Sequence, residues 1–333
     1  MSIVVKRAGV QTTIQDLGRF GFGNFGIQTS GPMDVFSYKL SNLLVGNKTS
    51  EAAFEITITG PTLYFRSPAI IAVTGGSFEL KVNGSPCPMR RPVGIPAHSE
   101  LKFGNRVNGV RAYLAVAGGF KVANIFLSKA TNLTEGFGGY YGRALKRGDE
   151  IICSKPLGDF KKGDLELNKP FLTPKWYLPN FFELRQKKPS VIRFISNDFF
   201  KSLPPASKRA LLNSRYTLLS GSNRIGYRLS GTKICGGKGD DLSRPVTFGA
   251  IQLPPDGNPI ILMADCQTVG GYPTLGAVIS FDHSILAQLA PGDDLMFEEI
   301  PLFESQRLYL EQYKYLLQIK ASLKYRTIDE KTN

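Results

Sequence analysis

Apolar residues in this chain come in short runs separated by polar or glycine-rich stretches. Clear cases are Ile56–Ile58, Leu63–Phe65, Ile70–Val73, Phe78–Val82, Tyr113–Val116, Val191–Ile195, Ile260–Met263 and Leu295–Phe297. Short, β-branched runs bounded by turn residues predict strands, and their spacing suits a barrel or sandwich rather than βαβ units. The N-terminus, Met1-Ser-Ile-Val-Val-Lys-Arg, reads as an opening strand, since three apolar residues before two charges make no signal-peptide core. Helices are few. One is predicted after Ser30-Gly31, with Pro32 at its first position and Asp34 in its first turn. Phe36, Leu40, Leu43 and Leu44 share one face, and the helix stops near Gly46. Others are expected over Ala206–Leu212, near Asp282 and after Pro301, the last with Leu308, Tyr309, Leu316 and Leu323 among its apolar positions.

Periodicity breaks between Lys155 and Pro189, where prolines 156, 170, 174, 179 and 189 alternate with lysines. That texture predicts an extended linker over 155–189. It separates an N-terminal domain, 1–154, from a C-terminal domain, 190–300, with a helix and tail over 301–333. The two halves echo each other: Gly148-Asp149 and Gly292-Asp293 each precede a final apolar strand.

Composition narrows the class. The chain has 333 residues, 42% of them apolar, enough to bury two cores. No apolar stretch approaches the ~20 residues a membrane helix needs, so no membrane partner is expected. Cys87, Cys153, Cys235 and Cys266 are scattered, as reduced thiols in a cytoplasmic protein would be. With two histidines, His98 and His283, no zinc spacing arises and no metal is expected. A net charge of +14 raises the question of nucleic acid. The basic residues are dispersed, without a stripe interleaved with aromatics, so no nucleic-acid partner is expected. No G-x-S-x-G elbow or P-loop is present.

Candidate chemistry sits in three glycine-rich polar segments. The first is Gln11-Thr-Thr-Ile-Gln-Asp-Leu-Gly-Arg-Phe-Gly, leading to Gly31-Pro-Met-Asp34. The second is Ser222-Asn-Arg-Ile-Gly-Tyr-Arg-Leu-Ser-Gly231. The third is Gly249-Ala-Ile-Gln-Leu-Pro-Pro-Asp-Gly257, running on to Asp265-Cys-Gln-Thr-Val-Gly-Gly-Tyr-Pro273. Attack on an amide needs a group that polarises the carbonyl, a proton acceptor, and hydrogen-bonding groups that read the amide. Asp265 and Asp16 can accept protons or align a nucleophile, and Arg224 and Arg19 supply fixed positive charge. Gln15 and Gln267, which both donate and accept, suit a cyclic amide edge, with Thr268 next to Gln267. Tyr227 and Tyr272 can cover a ligand. Each residue also has a structural reading. Asp16 and Arg19 can close a turn, Asp34 can serve a helix N-terminus, and Pro254-Pro-Asp-Gly257 is first of all a turn.

These motifs resemble a family that includes the C component of bacterial 5-oxoprolinase, allophanate hydrolase subunit 2, the carboxyltransferase part of urea carboxylase and the Kip antagonist protein. The resemblance runs in order from about residue 3 to about residue 300. It implies a mainly β fold of two tandem cyclophilin-like β-barrel domains, with a few short helices and a C-terminal helix. The chemical reading of the three segments makes Asp265, Asp16 and Arg224 the catalytic candidates, and Gln15, Arg19, Asp34, Tyr227, Gln267, Thr268 and Tyr272 the substrate-binding candidates. Val269 stands where a second threonine is common in the family.

Three activities fit the resemblance. The first is a subunit of an ATP-dependent 5-oxoprolinase complex, a lactam hydrolase that cleaves 5-oxo-L-proline to L-glutamate. It would be inactive without a smaller sister protein, like the B component of 5-oxoprolinase, and a third protein like the A component. ATP would be a co-substrate of the complex. The second is carboxyl transfer to a urea-like amide, and the third a regulatory antagonist that binds a kinase-inhibitor protein. The chain carries no A-M-K-M-like biotin attachment site and no ATP-grasp domain, so no biotin is expected on it. That favours the first activity.

Overall fold

The computed structural model describes residues 1–154, 170–179, 189–236 and 242–332, with side chains to residue 323. The fold is mainly β. Cα proximity groups the chain into two units, one of Met1–Gly18, Asp34–Leu184 and Tyr315–Asn333, the other of Arg19–Met33 and Arg185–Lys314. The expected linker falls largely outside the described residues. Its described middle is extended and lies along the first unit: Leu172 and Gly94 exchange backbone hydrogen bonds at 2.8 and 2.9 Å, and Thr173 donates to the Pro92 carbonyl.

The first unit holds β1 (Ser2–Arg7), β2 (Gln11–Gln15), β3 (Ala53–Thr57), β4 (Thr62–Phe65), β5 (Ala69–Val82), β6 (Ser85–Cys87), β7 (Val93–Ile95), β8 (Ser99–Val116) and β9 (Glu150–Ile152). They form one nine-stranded sheet with the path β2-β3-β8-β4-β1-β9, while β5 pairs with β6, β7 and β8. The two runs expected at Ile70–Val73 and Phe78–Val82 belong to the single strand β5. Its register against β8 shifts at three points, so bulges interrupt the apolar alternation without ending the strand. One face buries an apolar core that includes Ile3, Phe54, Leu101, Leu114 and Phe120.

Helix α1 covers Val35–Leu44 and buries Phe36, Leu40, Leu43 and Leu44, the face the sequence predicts. It begins three residues later than Pro32. The reason is local: Ser30 and Gly31 are still turning at φ 55° and 92°, and the Asp34 carboxylate accepts from the Ser37 amide at 2.9 Å. Asp34 is thus the N-cap rather than a first-turn residue. Beneath the helix, the Tyr113 hydroxyl donates to Glu55 at 2.7 Å and accepts from the Asp34 amide at 2.8 Å.

The second unit holds β10 (Ser190–Ser196), β11 (Tyr216–Leu218), β12 (Gly226–Gly231), β13 (Arg244–Pro245), β14 (Ala250–Gln252), β15 (Ile260–Leu262), β16 (Val269–Gly270), β17 (Thr274–Val278) and β18 (Asp294–Glu299). Seven of them close into a barrel in the order β10-β17-β14-β15-β12-β11-β18, while β13 and β16 pair separately. Only β10 and β18 are parallel neighbours, which lets the first and last barrel strands seal the cylinder. Helices α2 (Asp198–Ser202), α3 (Pro205–Asn213) and α4 (His283–Ala287) accompany the barrel, and a long helix, α5, covers Leu302–Thr332. Among the described helices, only α2 has no counterpart among those expected. Met33 packs in this unit's core, which explains why residues 19–33 group with it.

The echo between the halves has a physical counterpart. Gly148 and Gly292 both have φ 92°, and the aspartate after each accepts, at 2.7 Å, from the amide three residues earlier, Lys146 and Ala290 respectively.

Candidate functional site

Alternation along three barrel strands builds the site. On β12 the side chains of Tyr227 and Leu229 enter the core; so do Ile261 on β15 and Ile251 on β14. Their neighbours Gly226, Arg228, Ile260, Leu262 and Gln252 therefore face outward, because successive side chains alternate across a strand. The β13–β16 arm lies against this face, with Val246, Leu262 and Cys266 packed together. A cavity of about 430 Å³ remains there, lined also by Gln267, Gly270 and Tyr272.

Arg224 and Asp265 come together at the end of β15, though 41 residues separate them. The guanidinium Nε donates to Oδ2 of Asp265 at 2.7 Å, and Nη2 donates to Oδ1 at 2.9 Å. Nη2 also donates to the Gly31 carbonyl at 2.7 Å. Both side chains are under 5% exposed. The backbone repeats the link, with the Asp265 amide donating to the Arg224 carbonyl at 2.8 Å. Both carboxylate oxygens of Asp265 thus accept from one arginine, a bidentate geometry that fixes the start of the Cys266–Tyr272 loop. Burial and the adjoining Asp265 push the Cys266 thiol up to about 11, so it stays protonated and is no nucleophile near neutrality.

The remaining candidates fall as follows. Gln267 and Thr268 are half-buried, and Tyr272 is about half exposed at the cavity mouth. Tyr227 lies inside the barrel core, where it cannot cover a ligand in this cavity. Arg19 is buried in the second unit, its amide donating to the Thr29 carbonyl. Gln15, Asp16 and Asp34 belong to the first unit. Asp16 accepts from the Ser128 hydroxyl at 2.5 Å and from the Lys129 and Gly18 amides at 2.6 and 3.0 Å, a set of bonds that pins loops. Gln15 donates to Thr13 and to the Thr131 carbonyl. Asp34 caps α1. Among the described residues no group of acidic, histidine or cysteine side chains could hold a metal ion.

Gln252 and Arg228 are cavity residues that sequence reasoning passes over. Both lie inside the glycine-rich segments, but a lone polar residue in an alternating strand reads as solvent-facing. Gln252 is instead 2% exposed.

The second unit is thus a closed β-barrel that carries this loop and cavity. The chain belongs to the carboxyltransferase domain family, subdomains A and B, whose model matches residues 25–299. It is 33% identical over 322 residues to a protein named as the C component of 5-oxoprolinase from Haemophilus influenzae, covering 96% of this chain and 97% of that protein. The protein of the same name from Escherichia coli is 34% identical over 94% of this chain and 96% of its own length. Among solved structures, the urea amidolyase of Kluyveromyces lactis superposes with a TM-score of 0.84 at 27% identity. That match covers 96% of this chain and 20% of the larger polypeptide. The described residues include no helix long and apolar enough to cross a membrane.

Proposed function

We propose that this chain is the C component of an ATP-dependent 5-oxoprolinase complex. The complex cleaves 5-oxo-L-proline to L-glutamate, and its other members are a smaller B-type sister and an A-type protein. The observation that carries the proposal is the end-to-end match to two proteins bearing that name, at 33 and 34% identity. The reaction is cytoplasmic, and ATP is its co-substrate. Phosphorylation of the lactam oxygen turns a poor electrophile into a good one, which gives the nucleotide its role.

In this reading the cavity on the second barrel binds the amide. Gln267 and Thr268 supply hydrogen bonds, and Tyr272 closes the mouth. Arg224 and Asp265 act as positioning residues that hold the loop's first turn. Asp16, Gln15, Arg19 and Asp34 shape the motifs that precede it. The likeness to urea amidolyase supports a second reading, a carboxyltransferase acting on a urea-like amide.

Reconstitution separates the two. The chain, mixed with both partner proteins, is expected to hydrolyse ATP only when 5-oxo-L-proline is present. The chain alone should do neither. Turnover of urea instead of the lactam by the same assembly would move the assignment to the second reading.

A further inference from the structure

Gln252, on β14, lines the cavity and is 2% exposed. Its amide nitrogen is buried and has no hydrogen-bond partner among the described residues. A buried, unpaired amide is unfavourable unless something completes it, so such groups ask for an explanation. Gly270 lies directly against it. A Cβ at Gly270 would fall 2.4 Å from the Gln252 amide nitrogen and 3.5 Å from that of Gln267. Two carboxamides therefore converge on a position kept free of any side chain.

We propose that Gln252 is the specificity-determining residue of this cavity and reads the cis edge of a lactam or ureide. The inference rests on the amide-substrate reading above. A carboxamide presents its C=O and N–H side by side on one edge. A cis amide, as in a five-membered lactam or in urea, presents the complementary pair on one edge and meets it with two parallel hydrogen bonds. A trans amide, as in a peptide, has its C=O and N–H on opposite sides and can meet only one. Either orientation of Gln252 keeps both functions on that edge, and a cis amide turned over to suit meets it with the same two bonds. A site built to hydrogen-bond such a group rejects analogues that leave it unpaired.

The test is binding to the full-length chain, by calorimetric titration, with three probes: 5-oxo-L-proline, urea and the trans amide N-acetylglycine. The expected result is saturable binding of a cis amide and at least tenfold weaker binding of N-acetylglycine. Gln252→Leu should weaken the cis amide at least tenfold while its thermal midpoint holds or rises, since leucine removes a buried unpaired group. Gly270→Ala should weaken it as well, by displacing the Gln252 carboxamide, which a Cβ there would meet at 2.4 Å. Unchanged affinity in Gln252→Leu, equal binding of N-acetylglycine, or no binding of any probe overturns the proposal. The reconstituted complex keeps the two readings apart. Full lactam-dependent ATP hydrolysis with Gln252→Leu sinks the role of Gln252 and leaves the function standing. Cis-amide binding by the chain together with a complex that never turns over the lactam does the reverse.

Discussion

Asp265 illustrates how burial changes what a carboxylate does. Held by two hydrogen bonds from Arg224, it stabilises a buried cation. Removing one partner of a buried pair leaves the other uncompensated, at a cost of about 3–5 kcal/mol. Asp265→Asn is therefore expected to lower the thermal midpoint measurably, with the cost at the lower end because asparagine still offers one acceptor. In the assembled complex KM should rise more than kcat falls, since the loop that carries Gln267 loses its anchor. A stable Asp265→Asn chain with unchanged KM would remove the positioning role. His283 makes a different statement. Its ring stacks on Phe248 at 4.1 Å, and burial lowers its pKa from 6.5 to about 4. Between those values the unfolded chain takes up a proton that the folded chain refuses, so stability falls as pH drops from about 6.5 towards 4. Unfolding midpoints measured from pH 7 to pH 4 should show that loss, and His283→Phe, which keeps the stacking, should flatten the curve in this window.

At the scale of elements, short polar devices set the boundaries. The Asp34 carboxylate accepts from both the amide and the hydroxyl of Ser37 at the start of α1. An N-cap aspartate contributes about 0.5–2 kcal/mol. Asp34→Ala should cost about 1–2 kcal/mol in urea unfolding, whereas Asp34→Asn, a comparable cap, should cost much less; equal losses in the two would show that charge rather than capping matters. The helix itself was legible from Phe36, Leu40, Leu43 and Leu44, because its period shows in sequence. Its first residue was not, since Ser30 and Gly31 adopt left-handed turns that no propensity announces. The bulged β5 was hidden in the same way: each register shift against β8 breaks the alternation that marks a strand.

For the whole molecule, the proposed complex predicts an assembly dependence. The chain alone and either pairwise mixture should show no lactam-dependent ATP hydrolysis, and activity should appear only with all three proteins. Robust turnover by the lone chain would refute it. The class of fold, the family and most strands were legible along the chain, because alternation, turn residues and motifs are local signals that survive without tertiary context. The order in which seven strands close into a barrel lay beyond it, as did the grouping of residues 19–33 with the second unit. Both depend on contacts between residues far apart in the chain. The same is true of the site. Asp265 and Gln267 stood out as residue types, but whether Asp265 is a free base or half of an ion pair depends on Arg224, 41 positions away. Gln252 could be recognised only once the β13–β16 arm had covered its face of the barrel. Before that it is one more polar residue in an alternating strand. Afterwards it is a buried amide without a partner, because burial belongs to the fold and not to the residue.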